Sequence, residues 1–79
     1  MSSEEIDKLT VGSLVKYIPV GKGDTLRGED ADFGVCSRVI AVEGMSVYVF
    51  SWKSDPSRTT SENDRTLKSS RYSLVSSAD

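Results

Sequence analysis

The sequence contains no histidine, and this absence removes a large group of catalytic mechanisms. Histidine is the most common general base, a member of the usual catalytic triads and the commonest metal ligand in proteins. A triad hydrolase or a zinc enzyme would therefore need an unusual set of residues in this chain. We expect a protein that is not an enzyme and that holds no metal and no other cofactor.

Cysteine is almost absent as well, since Cys36 is the only one. A single thiol allows neither an internal disulfide nor a cysteine zinc site, and small domains in oxidising compartments usually have disulfides. The chain starts with the acidic, polar segment MSSEEIDK, which is unlike a secretion signal. No apolar run approaches the roughly 20 residues that a membrane helix needs. We expect a cytoplasmic protein, in the host cytoplasm if a phage encodes it, with no membrane partner.

A strong net charge is also missing. The 10 lysines and arginines are nearly balanced by 12 aspartates and glutamates, which gives a formal net charge of -2. Proteins that bind nucleic acid through its phosphates are usually clearly basic. The charge balance therefore favours a protein partner and keeps nucleic acid as the alternative.

Long runs of helical periodicity are absent, and strand-forming residues occur in short groups. The 79 residues allow one small domain with a thin core. We interpret 9–76 as that domain, 1–8 as a flexible tail or one helical turn capped by Ser3, and 77–79 as a second tail. The predicted strands cover 14–18, 33–42, 46–53 and 72–75.

Residues 33–53 carry the clearest pattern, that of an antiparallel β-hairpin. Gly44 supplies the tight turn, because glycine accepts positive φ angles. Alternation in the second strand of the hairpin separates three aromatic residues (Tyr48, Phe50 and Trp52) from two valines (Val47 and Val49). We expect an aliphatic core made of Leu14, Ile18, Phe33, Val35, Val39, Val47, Val49, Leu67 and Leu74.

Two polar segments interrupt the strands. Residues 20–32 form a long loop, and loops of this length are often functional. Its acidic group within 29–32 lacks the spacing of a calcium loop, so it predicts no metal site. Residues 54–66 are interpreted as a polar loop, disordered or carrying one short edge strand near 58–60.

Residues 11–17 read VGSLVKY, and a series of further motifs follows them. A glycine-valine strand comes next, then a V-x-V strand that ends near Trp52, and then an apolar closing strand at 72–75. Over 9–76 this order resembles the SH3-like small barrels of the KOW and Tudor kind, as in short stand-alone phage or bacterial proteins. The resemblance implies an all-β, five-stranded SH3-like barrel, and it implies no single function because such barrels serve many tasks.

We expect a non-catalytic interaction module that binds a protein partner through an aromatic barrel face or the 20–32 loop. Aromatic rings can stack on bases, proline rings or cations, or they can simply close the end of the barrel. Two alternatives stay open, a nucleic-acid-binding barrel and a small structural subunit of a virion or complex, and the oligomeric state is open too. The candidate binding residues are Tyr17, Tyr48, Trp52, Lys53, Arg58, Arg65, Lys68, Arg71 and Tyr72.

Overall fold

The computed structural model describes residues 1–18 and 31–78 and contains one antiparallel sheet with two short helices. The helices are α1 (Ser3–Asp7) and α2 (Asp64–Leu67), and the strands are β1 (Leu14–Tyr17), β2 (Asp32–Val42), β3 (Met45–Trp52), β4 (Asp55–Asn63) and β5 (Tyr72–Ser76). The predicted all-β class is confirmed. No helix in the described part of the chain combines the length and the apolar character needed to cross a bilayer.

The five strands are arranged in the order β4-β3-β2-β1-β5, and all described pairings are antiparallel. The first and last strands are neighbours, as expected, with Tyr17 opposite Tyr72. Strands β4 and β5 form the two edges, and the described strands do not pair across that gap. The structure is thus an open five-stranded sheet, and the expected closure into a barrel is not confirmed.

The predicted hairpin is confirmed, since β2 and β3 pair along most of their length and Val42 lies opposite Met45 at the turn. The two turn residues, Glu43 and Gly44, both have positive φ angles, of 50° and 80°. Positive φ at both central positions defines a type I′ turn, whose twist matches that of the two strands that it connects. Glycine adopts such an angle freely, whereas glutamate adopts it at a cost.

A bulge interrupts the regular alternation of β2. The pairing with β3 shifts between Cys36 and Arg38, and the Ser37 hydroxyl donates a hydrogen bond of 3.2 Å to the Val49 carbonyl. After the bulge, Val39 lies opposite Tyr48 and shares its face of the sheet. Strict alternation along the whole of β2 would place Val39 on the same face as Val35, and the bulge moves it to the other face.

The core lies on the aromatic face of the hairpin. Its buried apolar residues are Met1, Ile6, Leu9, Val15, Cys36, Tyr48, Phe50, Trp52 and Leu67. Leu67 is buried as expected, and Leu74 packs against the core. Phe33, Val35 and Val39 are instead exposed at 36%, 45% and 43%, so the expected core is wrong at these three residues. Both faces of the hairpin are apolar, but the described helices cover only the aromatic face. Three large rings fill the thin core there with few residues.

Helix α1 occupies most of 1–8, the segment interpreted from the sequence as a tail or a helical turn. Its cap is Ser2, one residue before the predicted Ser3: the Ser2 hydroxyl accepts from the Glu5 amide, and the Glu5 carboxylate accepts from the Ser2 amide. The other Glu5 oxygen accepts from the Leu74 amide at 3.3 Å. The hydrogen bond from the Ser2 backbone, followed by that from Leu74, holds the Glu5 pKa below its usual value.

The polar segment 54–66 contains an edge strand, and that strand is longer than the predicted 58–60. This strand is β4, which spans Asp55–Asn63 and leads directly into α2. The Asn63 side chain caps α2 by accepting a hydrogen bond of 2.9 Å from the Thr66 amide. The other polar segment, 20–32, falls outside the described residues except at its end, where Asp32 begins β2.

Gly34 is needed where β2 passes under the largest ring of the core. It lies opposite Trp52, and a Cβ atom at this position would be 2.7 Å from the Cε3 atom of the indole. This distance is far inside ordinary van der Waals contact, so any side chain at Gly34 would displace the ring.

We expect Gly34→Ala to lower the free energy of unfolding by about 1–3 kcal/mol, because the added methyl overpacks the core against Trp52. Urea denaturation would measure this value. The control is the double-mutant cycle with Trp52→Phe, in which the smaller ring should reduce the cost of Gly34→Ala. An equal cost in both backgrounds would contradict this explanation.

We expect Glu43→Asn to raise the free energy of unfolding by about 0.5–1 kcal/mol, because asparagine tolerates the left-handed conformation of this turn better than glutamate does. The same denaturation experiment would measure it. Glu43→Gln is the matched control, since it removes the charge but keeps the unfavourable backbone preference, and it should leave stability nearly unchanged.

Candidate functional site

Three of the predicted binding residues form one aromatic cluster. The ring centroids of Tyr17 and Tyr72 are 4.7 Å apart, and those of Tyr17 and Trp52 are 6.0 Å apart. Tyr17 and Tyr72 are half-buried neighbours on β1 and β5, whereas Trp52 belongs to the core. The cluster therefore connects the core to the side of the sheet formed by the first and last strands.

Trp52 and Tyr48 are buried, at 2% and 8% exposure. The indole Nε1 of Trp52 donates a hydrogen bond of 2.7 Å to the Thr60 hydroxyl on β4, which satisfies its one polar group. A partner could stack on these rings only if the core opened. The rings of Trp52 and Tyr48 thus belong to the core. The sequence left open that the aromatic rings have such a structural role instead of forming a binding surface.

Tyr72 connects the two open edges of the sheet. Burial raises the pKa of its hydroxyl, and the nearby carboxylate of Glu62 raises the pKa further. The positive charge of Arg58 acts in the opposite direction. Since Tyr72 is on β5 and Glu62 is on β4, a side-chain contact joins strands whose backbones are not paired.

The predicted basic residues are spread over several parts of the surface. Arg65 and Lys68 are exposed at α2 and line a groove of about 710 Å³. Lys68 also lines a second groove of about 340 Å³ with Tyr48, so these three predicted residues come close together. Arg58 is exposed on β4, and Arg71 is half-buried, with its Nη1 donating to the Ile18 carbonyl at 3.5 Å. The structure therefore does not gather the predicted set into one patch.

A different surface, the outer face of the sheet, carries most of the exposed apolar residues. We define the outer face as the side of the sheet opposite the core, where the strand pairing places Leu14, Phe33, Val35, Ile40, Val42, Met45, Val47 and Val49. Val35, Val42 and Met45 on this face are exposed at 45%, 48% and 46%. Sequence reasoning missed this surface because it assigned several of these residues to the core.

A small groove lies at one end of the outer face. Its volume is about 270 Å³, and its lining consists of Leu14, Phe33, Val35, Ser51, Trp52, Lys53 and Pro56. The Lys53 amide donates to the Phe33 carbonyl at 2.8 Å, which fixes β3 beside β2 at the rim. The Asp32 carboxylate accepts from both the amide and the hydroxyl of Ser54, which holds the connection to β4. Of the predicted binding residues, this groove contains Trp52 and Lys53.

The charged strand residues of the outer face are basic, and the Asp32 carboxylate at the rim of the groove is engaged by Ser54. The pairing places Lys16 and Arg38 on this face, and Lys53 lines the groove. Among the described strand residues that share the face, none is acidic. An exposed apolar surface with basic groups around it suits a ligand that is both apolar and negatively charged.

Nucleophilic and metal chemistry find little support in the described part of the chain. Cys36 is buried, and burial raises the pKa of its thiol, which disfavours the reactive thiolate. Across 1–18 and 31–78, no three side chains of the metal-ligating types come together. Asp32, from the acidic group noted in the sequence, instead binds Ser54 as described above.

The fold and surface together define a small all-β protein with an open antiparallel sheet and one apolar face on which several described side chains are exposed. A comparison of the chain with known protein families, with curated proteins and with solved structures gives no match. Any functional assignment therefore depends on the chemistry of the surface itself.

We expect Tyr72→Phe to make the alkaline loss of stability less steep. The pKa of Tyr72 is raised by folding, so this residue stabilises the fold fully below about pH 10 and loses that effect as the pH rises further. Urea denaturation at several pH values from 7 to about 12 would measure the effect.

Glu62→Gln is the companion variant, because it removes the charge but keeps a hydrogen-bond acceptor beside Tyr72. Its alkaline loss should be intermediate between those of the wild type and Tyr72→Phe. A Tyr72→Phe protein that loses stability as steeply as the wild type above pH 10 would show that another group controls this range.

Proposed function

We propose that this domain is a non-catalytic protein-binding module whose partner docks on the outer face of the sheet. The supporting observation is the exposure of large apolar side chains on that face, with Val35, Val42 and Met45 each close to half exposed. Contiguous apolar surface of this kind is uncommon on monomeric proteins and often marks an interaction site.

The proposal differs from the sequence expectation in the surface that it uses. The aromatic face that includes Tyr48 and Trp52 belongs to the core, so its rings are not available without unfolding. The other predicted contact, the 20–32 loop, falls outside the described residues except at its end, and the described strands on either side of it are paired through Tyr17 and Asp32. The next pair along these two strands is Lys16 with Phe33, and both residues lie on the outer face.

The charges favour a partner with acidic groups over a second copy of this chain. A symmetric dimer formed through this face would enclose Lys16, Arg38 and Lys53 of both copies in one interface, without an acidic strand residue of the face to pair with them. Like charges brought together in an interface are unfavourable. A partner with carboxylates around an apolar centre would instead pair with them, which argues against the structural-subunit alternative in its simplest form.

The SH3-like resemblance forms part of this proposal. Its support is the strand order and the pairing of β1 with β5 across Tyr17 and Tyr72. Small barrels of that kind commonly act as interaction modules, although the fold alone specifies no partner. The nucleic-acid alternative has less support, because the basic residues do not form one patch. Arg65 and Lys68 lie at α2, whereas Lys16 lies on the outer face.

The test uses a random-peptide phage-display library as the probe. We expect selection on the purified protein to enrich peptides that combine large apolar residues with aspartate or glutamate. Val35→Lys should weaken the binding of a selected synthetic peptide by about tenfold or more, equal to about 1.4 kcal/mol, because it places a charge on the exposed apolar surface.

Val11→Lys is the matched control, because Val11 is even more exposed, at 57%, and lies in the turn before β1. It should leave peptide affinity unchanged, and circular dichroism would verify that both variants fold. Equal binding by the wild type and Val35→Lys would contradict the proposal.

A further inference from the structure

We propose that the groove at the end of the outer face is an anchor site for one aromatic side chain of the partner, next to a partner carboxylate that pairs with Lys53. This inference rests on the proposed protein-binding function and assigns the chemistry of one position within it. The groove is the one defined above, lined by Leu14, Phe33, Val35, Ser51, Trp52, Lys53 and Pro56.

The size of the groove limits its occupant. Sites for drug-sized molecules and cofactors measure about 300–1,000 Å³, and this groove of about 270 Å³ falls below that range. A groove of this size has room for one aromatic ring from a larger partner, and protein interfaces commonly place such a ring in a small pocket.

The walls of the groove suit a ring. Leu14, Val35 and Pro56 provide aliphatic surface, and Phe33, exposed at 36%, provides an aromatic edge or face. The hydroxyl of Ser51 donates to the Pro56 carbonyl at 3.4 Å, so it is already engaged and holds the proline at the groove. The occupant therefore meets mainly apolar atoms.

Lys53 determines the charge of the occupant. Among the described residues, its ammonium group makes neither a hydrogen bond nor an ion pair, although its backbone amide is fixed to Phe33. Lys16 and Arg38 add positive charge to the same face. A carboxylate beside the aromatic ring complements this arrangement, whereas a cationic ligand would be repelled.

The groove is already formed in the folded chain. Two hydrogen bonds fix the strands at the rim. The Lys53 amide donates to the Phe33 carbonyl at 2.8 Å, and the Ser54 amide donates to the Asp32 carboxylate at 3.1 Å. A preorganised site loses little conformational entropy when a side chain enters it, so even a small probe should be detectable.

The experiment titrates the protein with 3-phenylpropionate and, separately, with the uncharged 3-phenyl-1-propanol, and follows amide chemical shifts by NMR. We expect 3-phenylpropionate to shift the amides of Val35, Ser51 and Lys53 and to bind more tightly than the alcohol. Lys53→Gln should weaken the carboxylate probe about two- to fivefold, as for an exposed ion pair, and should remove the difference between the probes.

Lys16→Gln is the matched control, because it removes an equal charge from the same face without touching the groove. It should preserve the preference for the carboxylate probe. Equal affinities of both probes for the wild type, or an unchanged preference in Lys53→Gln, would overturn the assigned charge. Shifts confined to other parts of the protein, or no shifts, would overturn the anchor site.

These outcomes are separable from a failure of the proposed function. If selected peptides lose affinity in Val35→Lys but neither compete with 3-phenylpropionate nor respond to Lys53→Gln, the anchor site is wrong while the docking face stands. If Val35→Lys leaves peptide binding unchanged, the docking face itself is wrong, whatever the small probes do.

Discussion

The packing of three aromatic rings against one face of a single sheet is the constraint on which the rest of this structure depends. Tyr48, Phe50 and Trp52 alternate along β3, so their rings reach the same side. The residues that cover them come from both helices and from β1, including Ile6, Val15 and Leu67. Across 1–18 and 31–78 no helix or second sheet lies on the opposite side, so the described residues leave the outer face exposed.

Close contacts within the core transmit this constraint to the edges of the sheet. The Trp52 ring requires Gly34 beneath it and reaches Thr60 on β4 through its indole nitrogen. Tyr72 and Glu62 then connect β5 to β4 across the gap that the backbone leaves open. The side chains thereby give the open sheet some of the connection that strand pairing would provide in a closed barrel.

The outer face acquires its character from the same arrangement. Because the aromatic side is the covered one, Val35, Val42 and Met45 remain in solvent beside basic groups. Exposed apolar area of this kind has a favourable free energy of burial, about 25 cal/mol for each Å² removed from water. A docking role for this face would use surface that the described residues leave in solvent.

The hairpin, its turn at Gly44 and the shared face of the three aromatic residues follow from the sequence, because they depend on local spacing and turn chemistry. The pairing of the first and last strands joins opposite ends of the chain, and the expected small-barrel architecture predicts it rather than local spacing. The choice between two apolar faces does not follow from alternation, which describes both equally. Packing of the helices and the bulge at Ser37 decided it, and these depend on contacts between residues far apart in the chain. For that reason only the tertiary structure revealed that Val35 is exposed and Trp52 is buried.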